Sequence, residues 1–368
     1  MPLIPLFIPD MPVAGDLMPY LCEIDKDKWY SNFGPKLNQF EACLAHHFKV
    51  ERNSIVTSSS ATTGLMMALK AIACEFNENR KTQFKCLLPA WTFVASAQAV
   101  LEAGGCPLFC DVARDTGAIT VEGVERYLSG LNGEMPDIVM PVAPFSSRVD
   151  VAEWDAFTKR TGIPVVIDAA ASFFSITPGL SPVVVSLHAT KSFGVGEGGV
   201  IISDNKSLIQ KMHQISRFGF AEARVAISRG GNYKLSEYHA VVGLSQFDRL
   251  SKLKARYLEA RKHYRSKLSA MENVTLFGAG DDVISSTLNV SIQKVTAKKA
   301  VEKLRERGVE AAVWWEDILY QNPIFNKLCA SNKFPVSDDL YDGVFGVPFY
   351  SGITEKEIDC VLDAIRAI

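Results

Sequence analysis

The chain has 368 residues, 48% of them hydrophobic and 22% charged, with a formal net charge of −2. Such a composition supports a large packed core and excludes a disordered chain, and the near-neutral balance argues against general nucleic-acid binding, which needs a basic face. The eight cysteines contain no C-x-x-C pair and the six histidines no metal-ligand spacing, a pattern of reduced thiols and no metal site. MPLIPLFIPDMPV lacks a basic start and is broken by prolines, so it does not read as a signal peptide. No apolar run approaches the ~20 residues of a membrane span. The expectation is a cytoplasmic protein with neither membrane nor nucleic acid as a partner.

In chain order, residues 1–35 read as irregular, being rich in proline and aromatics. KLNQFEACLAHHFKV has helical spacing, with Leu37, Phe40, Leu44 and Phe48 on one stripe. Strands and helices then alternate: NSIVTSSSATTGLMMALKAIACEF is strand, polar turn and helix, and CLLPAWTFVASAQAVLEAG is strand, loop and helix. CPLFCDV, DIVMPV, a helix from Val151 to Arg160, PVVIDAA, VVVSLHATK and GVIISD continue the pattern. Alternation of this kind predicts an α/β fold with a mainly parallel sheet, covered on both faces, with ligands at the carboxyl ends of its strands. A long charged helical region from Glu237 to Met271 then links this large domain (1–245) to a smaller α+β domain (246–368). That second unit holds VTLFGAG, STLNVSIQ, the helix AKKAVEKLRERG, VEAAVWW and a last helix EKEIDCVLDAIRAI.

Four segments carry candidate chemistry. In SLHATKSFGVGEGGVIIS, Lys191 stands between a buried strand and a glycine turn, where loops carry function. In PVVIDAAAS, Asp168 ends an apolar run at the sheet's carboxyl edge; its ordinary reading is a helix cap. A buried Asp beside a strand-end Lys is, however, what pyridoxal phosphate (PLP) requires. The amine forms an imine with the aldehyde, and the carboxylate keeps the pyridine nitrogen protonated. TSSSATTGL offers a phosphate cup, a hydroxyl-rich strand end followed by a helix N-terminus near Thr62. PAWTFVAS offers an aromatic platform, Trp91 or Phe93, although an aromatic after a strand is commonly core.

Together these segments resemble the DegT/DnrJ/EryC1/StrS family, sugar aminotransferases of aspartate aminotransferase fold type I. The resemblance runs from YSNFGPKLNQFE through SSSATTGLMMAL, PAWTFVASAQAVLEAGGCPLFCDV, PVVIDAAAS, SLHATKSFGVGEGGVIISD and GGNYKLSEYHAVVGLSQFDRL to VPFYSGITEKEID. It implies that Lys191 is the imine lysine, Asp168 the pyridinium partner and Ser186 a phosphate contact. It also implies that Ala61 and Thr62, where the family usually has Gly-Thr, form the backbone phosphate site, and that Phe93 stacks on the ring, with Trp91 in reserve. Asn232 of GGNYK matches an asparagine that reaches the cofactor phosphate of the neighbouring subunit, which implies a homodimer. Two departures stand out. Ala171 occupies the place of a Gln or His on the cofactor's phenolic side, and Ser146 replaces a glycine in APFSSRVD.

The function the resemblance implies is amino transfer, with glutamate as donor, to a keto carbon of a nucleotide-linked deoxy sugar. The HATK run around His188 is similar to that of members acting on 4-keto-6-deoxy sugars, the alternative being a packed supporting residue. Arg224, Arg229 and Lys234 are candidates for the nucleotide diphosphate, against the alternative of a solvated loop. Two rival functions remain at this stage, a PLP-dependent dehydratase or lyase and a degenerate ligand-binding member. Lys191 and Asp168 speak against the second, and Ala171 is the one feature in its favour.

Overall fold

The computed structural model describes residues 3–76, 83–130, 135–221, 223–278, 280, 283–315, 318–328 and 333–368; Ala279 of the VTLFGAG segment lies outside them. In chain order the elements are α1 (Ala14–Asp27), α2 (Pro35–Phe48), β1 (Ile55–Ser58), α3 (Ala61–Phe76), β2 (Lys85–Pro89), α4 (Val94–Glu102), β3 (Cys106–Cys110), α5 (Val121–Ser129) and β4 (Ile138–Val139). There follow α6 (Val151–Thr161), β5 (Ile167–Asp168), β6 (Val183–Ser186), β7 (Gly199–Ile202), α7 (Lys206–Ser216), α8 (Glu237–Asp248) and α9 (Leu250–Leu268). The last group is β8 (Val274–Phe277), β9 (Leu288–Ile292), α10 (Ala297–Glu306), β10 (Ala312–Val313), α11 (Pro335–Gly343), β11 (Phe345–Val347) and α12 (Glu355–Arg366).

The large sheet consists of β1-β7-β6-β5 and β3-β2-β4. Isolated parallel bridges, Val139 to Val165 and Val142 to Asp168, join the two into one surface. Pairing is parallel except at β7, which runs antiparallel to both β1 and β6. The expected mainly parallel sheet is therefore present, with one reversed strand formed by GVII.

Its strands read as unbroken apolar runs because both faces are covered. Val183 and Val185 of β6 enter one core with Phe40, Phe173 and Phe193, while Val184 enters the opposite core with Leu65, Met67 and Leu69 of α3. The same split separates Ile55 from Val56 and Ile167 from Val166. Each such side chain, once buried, contributes about 1.5–3 kcal/mol. The strands are thus held from both sides, and their polar ends are left to face one edge.

The C-terminal elements form a second layer with its own antiparallel sheet, β10-β11-β9-β8, and its own apolar core from Leu253 and Tyr257 to Leu362 and Ile365.

Two expectations need correction. The first 35 residues are not all irregular, since α1 spans Ala14–Asp27 with Pro19 inside it. Only Ile24 of α1 is buried, so the helix leaves almost no apolar stripe to read. The linking region is two helices and not one, broken at Arg249, whose φ/ψ of −109°/5° is non-helical. Arg249 pairs with Asp10 and Gln246 donates to the Asp10 carbonyl (2.9 Å), so the break is fastened to the N-terminal segment.

Candidate active site

The carboxyl ends of β1, β2, β5 and β6 open on one cavity of 470 Å³. Lys191 reaches it from the loop after β6. There the Lys191 N–H donates to the His188 carbonyl (2.9 Å), Ala189 N–H to Gly196 and Leu187 N–H to Gly198. The turn is tight: a Cβ on Gly194 would meet the Ala189 Cα at 2.8 Å. The glycines after Lys191 thus permit the fold-back that carries its amine to the end of β5.

Asp168 is 5% exposed and lines the same cavity. Its Oδ2 accepts from Ser96 Oγ (2.7 Å) and its Oδ1 from the Ala170 N–H (3.1 Å). Burial raises its pKa, against the opposing effects of Ser96, Ala170 and Lys191. Burial likewise lowers the pKa of Lys191, against the attraction of Asp168. Desolvation therefore favours an uncharged Lys191 Nζ, the form that attacks an aldehyde.

One pH effect follows. The rate at which the cofactor-free protein captures PLP should rise with pH through the depressed pKa of Lys191. In Asp168→Asn, the anion that stabilises the ammonium is gone, so the rise should begin at lower pH. Stopped-flow absorbance measures both profiles, and a shift to higher pH in the variant would refute the assignment of their coupling.

Opposite the amine lies the N-terminus of α3. Ser60 caps it, its Oγ accepting from the Thr63 N–H (3.1 Å), and Ala61 and Thr62 line the cavity. First-turn N–H groups have no intrahelical acceptor and favour an anion. Gly199 of β7 allows this approach, because a Cβ there would meet the Ser60 carbonyl at 2.7 Å and the Ala61 nitrogen at 2.8 Å. Ser186 also faces the cavity; its Oγ accepts from the His188 N–H (3.2 Å), leaving the hydroxyl proton available. An amine, a buried carboxylate and an anion cup around one cavity fit PLP. Lys191 would hold its aldehyde carbon, Asp168 its ring nitrogen, and Ala61, Thr62 and Ser186 its phosphate.

The two aromatic candidates separate. Phe93 lines the cavity and is 56% exposed, so its ring is free to cover a ligand. Trp91 is not part of the lining; it is buried behind it, edge-on to Phe145, Phe277 and Trp315 at 5.1–5.6 Å. His188 is at the rim. Its Nδ1 lies against Thr190, 2.8 Å from Oγ1 and 3.2 Å from the backbone nitrogen, and its Nε2 faces Glu197 at 3.5 Å.

Asn232, Arg224, Arg229 and Lys234 do not line this cavity. Asn232 bridges to Arg217 and accepts from Lys234 Nζ (2.5 Å), while Arg224 and Arg229 are exposed. The two departures touch each other: Ser146 adopts φ +67° and its Oγ donates to the Ala171 carbonyl (2.5 Å). A left-handed backbone explains why glycine suits that position, and the hydrogen bond offsets part of the cost of serine there.

Several lining residues have no counterpart among the sequence candidates: Phe7, Thr92, Ser96, Phe145, Trp314 and Trp315. Phe145 stacks on Trp315 (5.3 Å, 7°), and Trp314 Nε1 donates to Asn289 Oδ1 (2.6 Å), which fixes an aromatic wall. The adjacent tryptophans of VEAAVWW were the available signal, because two large rings in sequence cannot both face one core.

A carboxylate and a lysine at adjoining strand ends, facing a helix N-terminus across one cavity, define a fold type I PLP enzyme. The chain belongs to the DegT/DnrJ/EryC1/StrS aminotransferase family, which matches residues 14–366, and it is a PLP-dependent aminotransferase. It is 24% identical over 371 residues to the dTDP-4-amino-4,6-dideoxy-D-glucose transaminase of Escherichia coli, covering 96% of this chain and 95% of that one. It is also 24% identical over 344 residues to the 3-oxo-glucose-6-phosphate:glutamate aminotransferase of Bacillus subtilis, covering 90% and 75%. The crystal structure of a putative PLP-dependent aminotransferase from Bacillus cereus shares the fold, with a TM-score of 0.87 at 24% identity over 99% of this chain and 100% of that one. Among the described residues no helix is long and apolar enough to cross a membrane.

Proposed function

We propose that the chain moves an amino group from glutamate to the keto carbon of a nucleotide-linked deoxy sugar, in the cytoplasm and as a homodimer. The observation that carries the reading is the convergence of Lys191 and Asp168 on one cavity whose outer wall is aromatic. Phe7, Phe145, Trp314 and Trp315 offer faces to a sugar that has lost hydroxyls. The names of the E. coli and B. subtilis relatives support the nucleotide-linked deoxy sugar and the glutamate donor, respectively.

When bound, the cofactor supplies an electron sink that makes the carbon attached to the donated nitrogen acidic. The remaining work belongs to the chain. Lys191 Nζ would hold the cofactor's aldehyde carbon and, as a free amine, would carry the proton between the two carbons concerned. Asp168 keeps the ring nitrogen charged. The N–H groups of Ala61 and Thr62 and the Ser186 hydroxyl anchor the phosphate, and Phe93 covers the ring. Mass analysis of products from glutamate and a panel of keto-sugar nucleotides tests the reading. An aminated sugar nucleotide is expected, and its absence across the panel, with amine transfer from glutamate to the cofactor intact, would overturn the choice of acceptor.

Arg224, Arg229 and Lys234 are assigned to the diphosphate of a substrate in the neighbouring subunit, and Asn232 to that subunit's cofactor phosphate. Their support is position: they lie on or beside the exposed 223–230 stretch, outside the cavity of their own subunit. A two-fold interface would give two equivalent composite sites. Mixing inactive Lys191→Ala chains with inactive Asn232→Ala chains should then restore activity, because half of the sites in a heterodimer carry neither defect. No recovery despite demonstrated subunit exchange would rule out the cross-subunit role.

A further inference from the structure

We infer that Ser96 is a positioning residue for Asp168, fixing the plane of its carboxylate toward the cofactor's ring nitrogen. The inference rests on the reading that Asp168 faces that nitrogen. Ser96 lies in the first turn of α4 and is 1% exposed. Its Oγ is 2.7 Å from Asp168 Oδ2 and 3.1 Å from Thr92 Oγ1. Thr92 is also buried, so three buried polar side chains form one hydrogen-bonded chain in the cavity lining.

The direction of its protons is constrained. A carboxylate only accepts, so the Ser96 proton points to Oδ2 and the Thr92 proton points to Ser96 Oγ. Both hydroxyl dipoles then converge on the negative charge, and each strengthens the other. The Ala170 N–H holds Oδ1 from the other side. With one donor on each oxygen the carboxylate cannot rotate, yet each oxygen keeps a lone pair for the ring N–H. Among the described residues, Lys191 is the charged side chain acting on Asp168; the other groups acting on it, Ser96 and the Ala170 N–H, do not titrate. The sequence sets this up by spacing Thr92 and Ser96 four residues apart, on one side of the loop-to-helix junction.

A hydrogen bond to a charged group corresponds to about a 10–100-fold effect. Ser96→Ala in the PLP-loaded protein should therefore lower kcat about 10–100-fold with little change in KM for the amino donor. It should also move the pH midpoint of the visible absorbance of PLP attached to Lys191 upward. A ring nitrogen less firmly held in its charged form withdraws fewer electrons, so the attached nitrogen becomes more basic. Ser96→Thr, which keeps the hydroxyl, should restore both properties. Asp168→Asn is the control and should shift the midpoint further in the same direction.

Wild-type kcat and midpoint in Ser96→Ala, with a severe defect in Asp168→Asn, would overturn the role of Ser96 alone. A harmless Asp168→Asn would instead overturn the reading beneath it. Equal losses in Ser96→Ala and Ser96→Thr would mark a packing effect and overturn the proposal. If Ser96→Ala fails to fold, Thr92→Val removes only the outer hydroxyl. A smaller shift in the same direction then supports the relay, and an unchanged midpoint overturns it.

Discussion

Lys191→Ala is expected to abolish turnover while leaving the fold in place. Two functions are lost together. The covalent attachment point disappears, and so does the group that carries the proton, whose contribution alone is about 10²–10⁴-fold. Structure gives no reason for collapse. Among the described residues no side chain hydrogen-bonds Lys191 Nζ, and the turn around it is held by backbone bonds from Ala189, Lys191 and Val195 that an alanine keeps. The purified variant should lack the visible absorbance of lysine-attached cofactor, keep a Tm close to that of the cofactor-free wild type, and show no product. Retained turnover in a clean preparation would refute the assignment. Lys191→Arg is the sharper companion, because it keeps the positive charge and much of the length but its guanidinium stays protonated and cannot attack a carbonyl.

The two groups that define the chemistry were legible because Asp168 ends, and Lys191 closely follows, a strand whose apolar run is unmistakable. VVVS and VVID are continuous because the sheet is covered on both faces, and their first polar residues necessarily fall at its edge. The helix at Thr62 was legible from hydroxyls preceding an apolar periodic run, and the structure starts it at Ala61. What escaped is of another kind. Helix α1 buries only Ile24, so no periodicity marks it. Trp314 and Trp315 reach the cavity from the bend that follows β10 in the other layer; their adjacency is a local signal, but nothing local reports which distant strand ends they meet. Ser96 is hidden for a related reason. A small hydroxyl on an apolar helix reads as filler until the carboxylate of Asp168, 72 residues away, is placed beside it. Trp91 and Phe93 show the converse. Two aromatics separated by one residue offer equal signals, and only the helix start at Val94 decides that Phe93 faces the cavity while Trp91 joins the core.

Asp168→Asn is expected to retain the fold and part of the cofactor but to lose most of the rate. The amide is nearly isosteric and both of its neighbours accommodate it. Its oxygen accepts from the Ala170 N–H as Oδ1 does now, and its NH₂ donates to Ser96 Oγ, which then turns its own proton away. Packing and hydrogen-bond count are thus conserved, and a buried charge is removed from a site where burial already disfavours it. Apo stability should therefore be unchanged or slightly higher. What is lost is the anion opposite the ring nitrogen. Breaking a buried charge pair costs about 3–5 kcal/mol, roughly 10²–10⁴-fold in rate. That loss should appear in kcat, because the ring charge matters most while the proton is in transit. Single-turnover kinetics with glutamate isolates the first half of the reaction and avoids any choice of sugar acceptor. A near-normal rate in that assay would reduce Asp168 to a cap of the short turn in which the Ser172 N–H bonds the Ala169 carbonyl. A loss confined to KM would instead place its charge in donor binding.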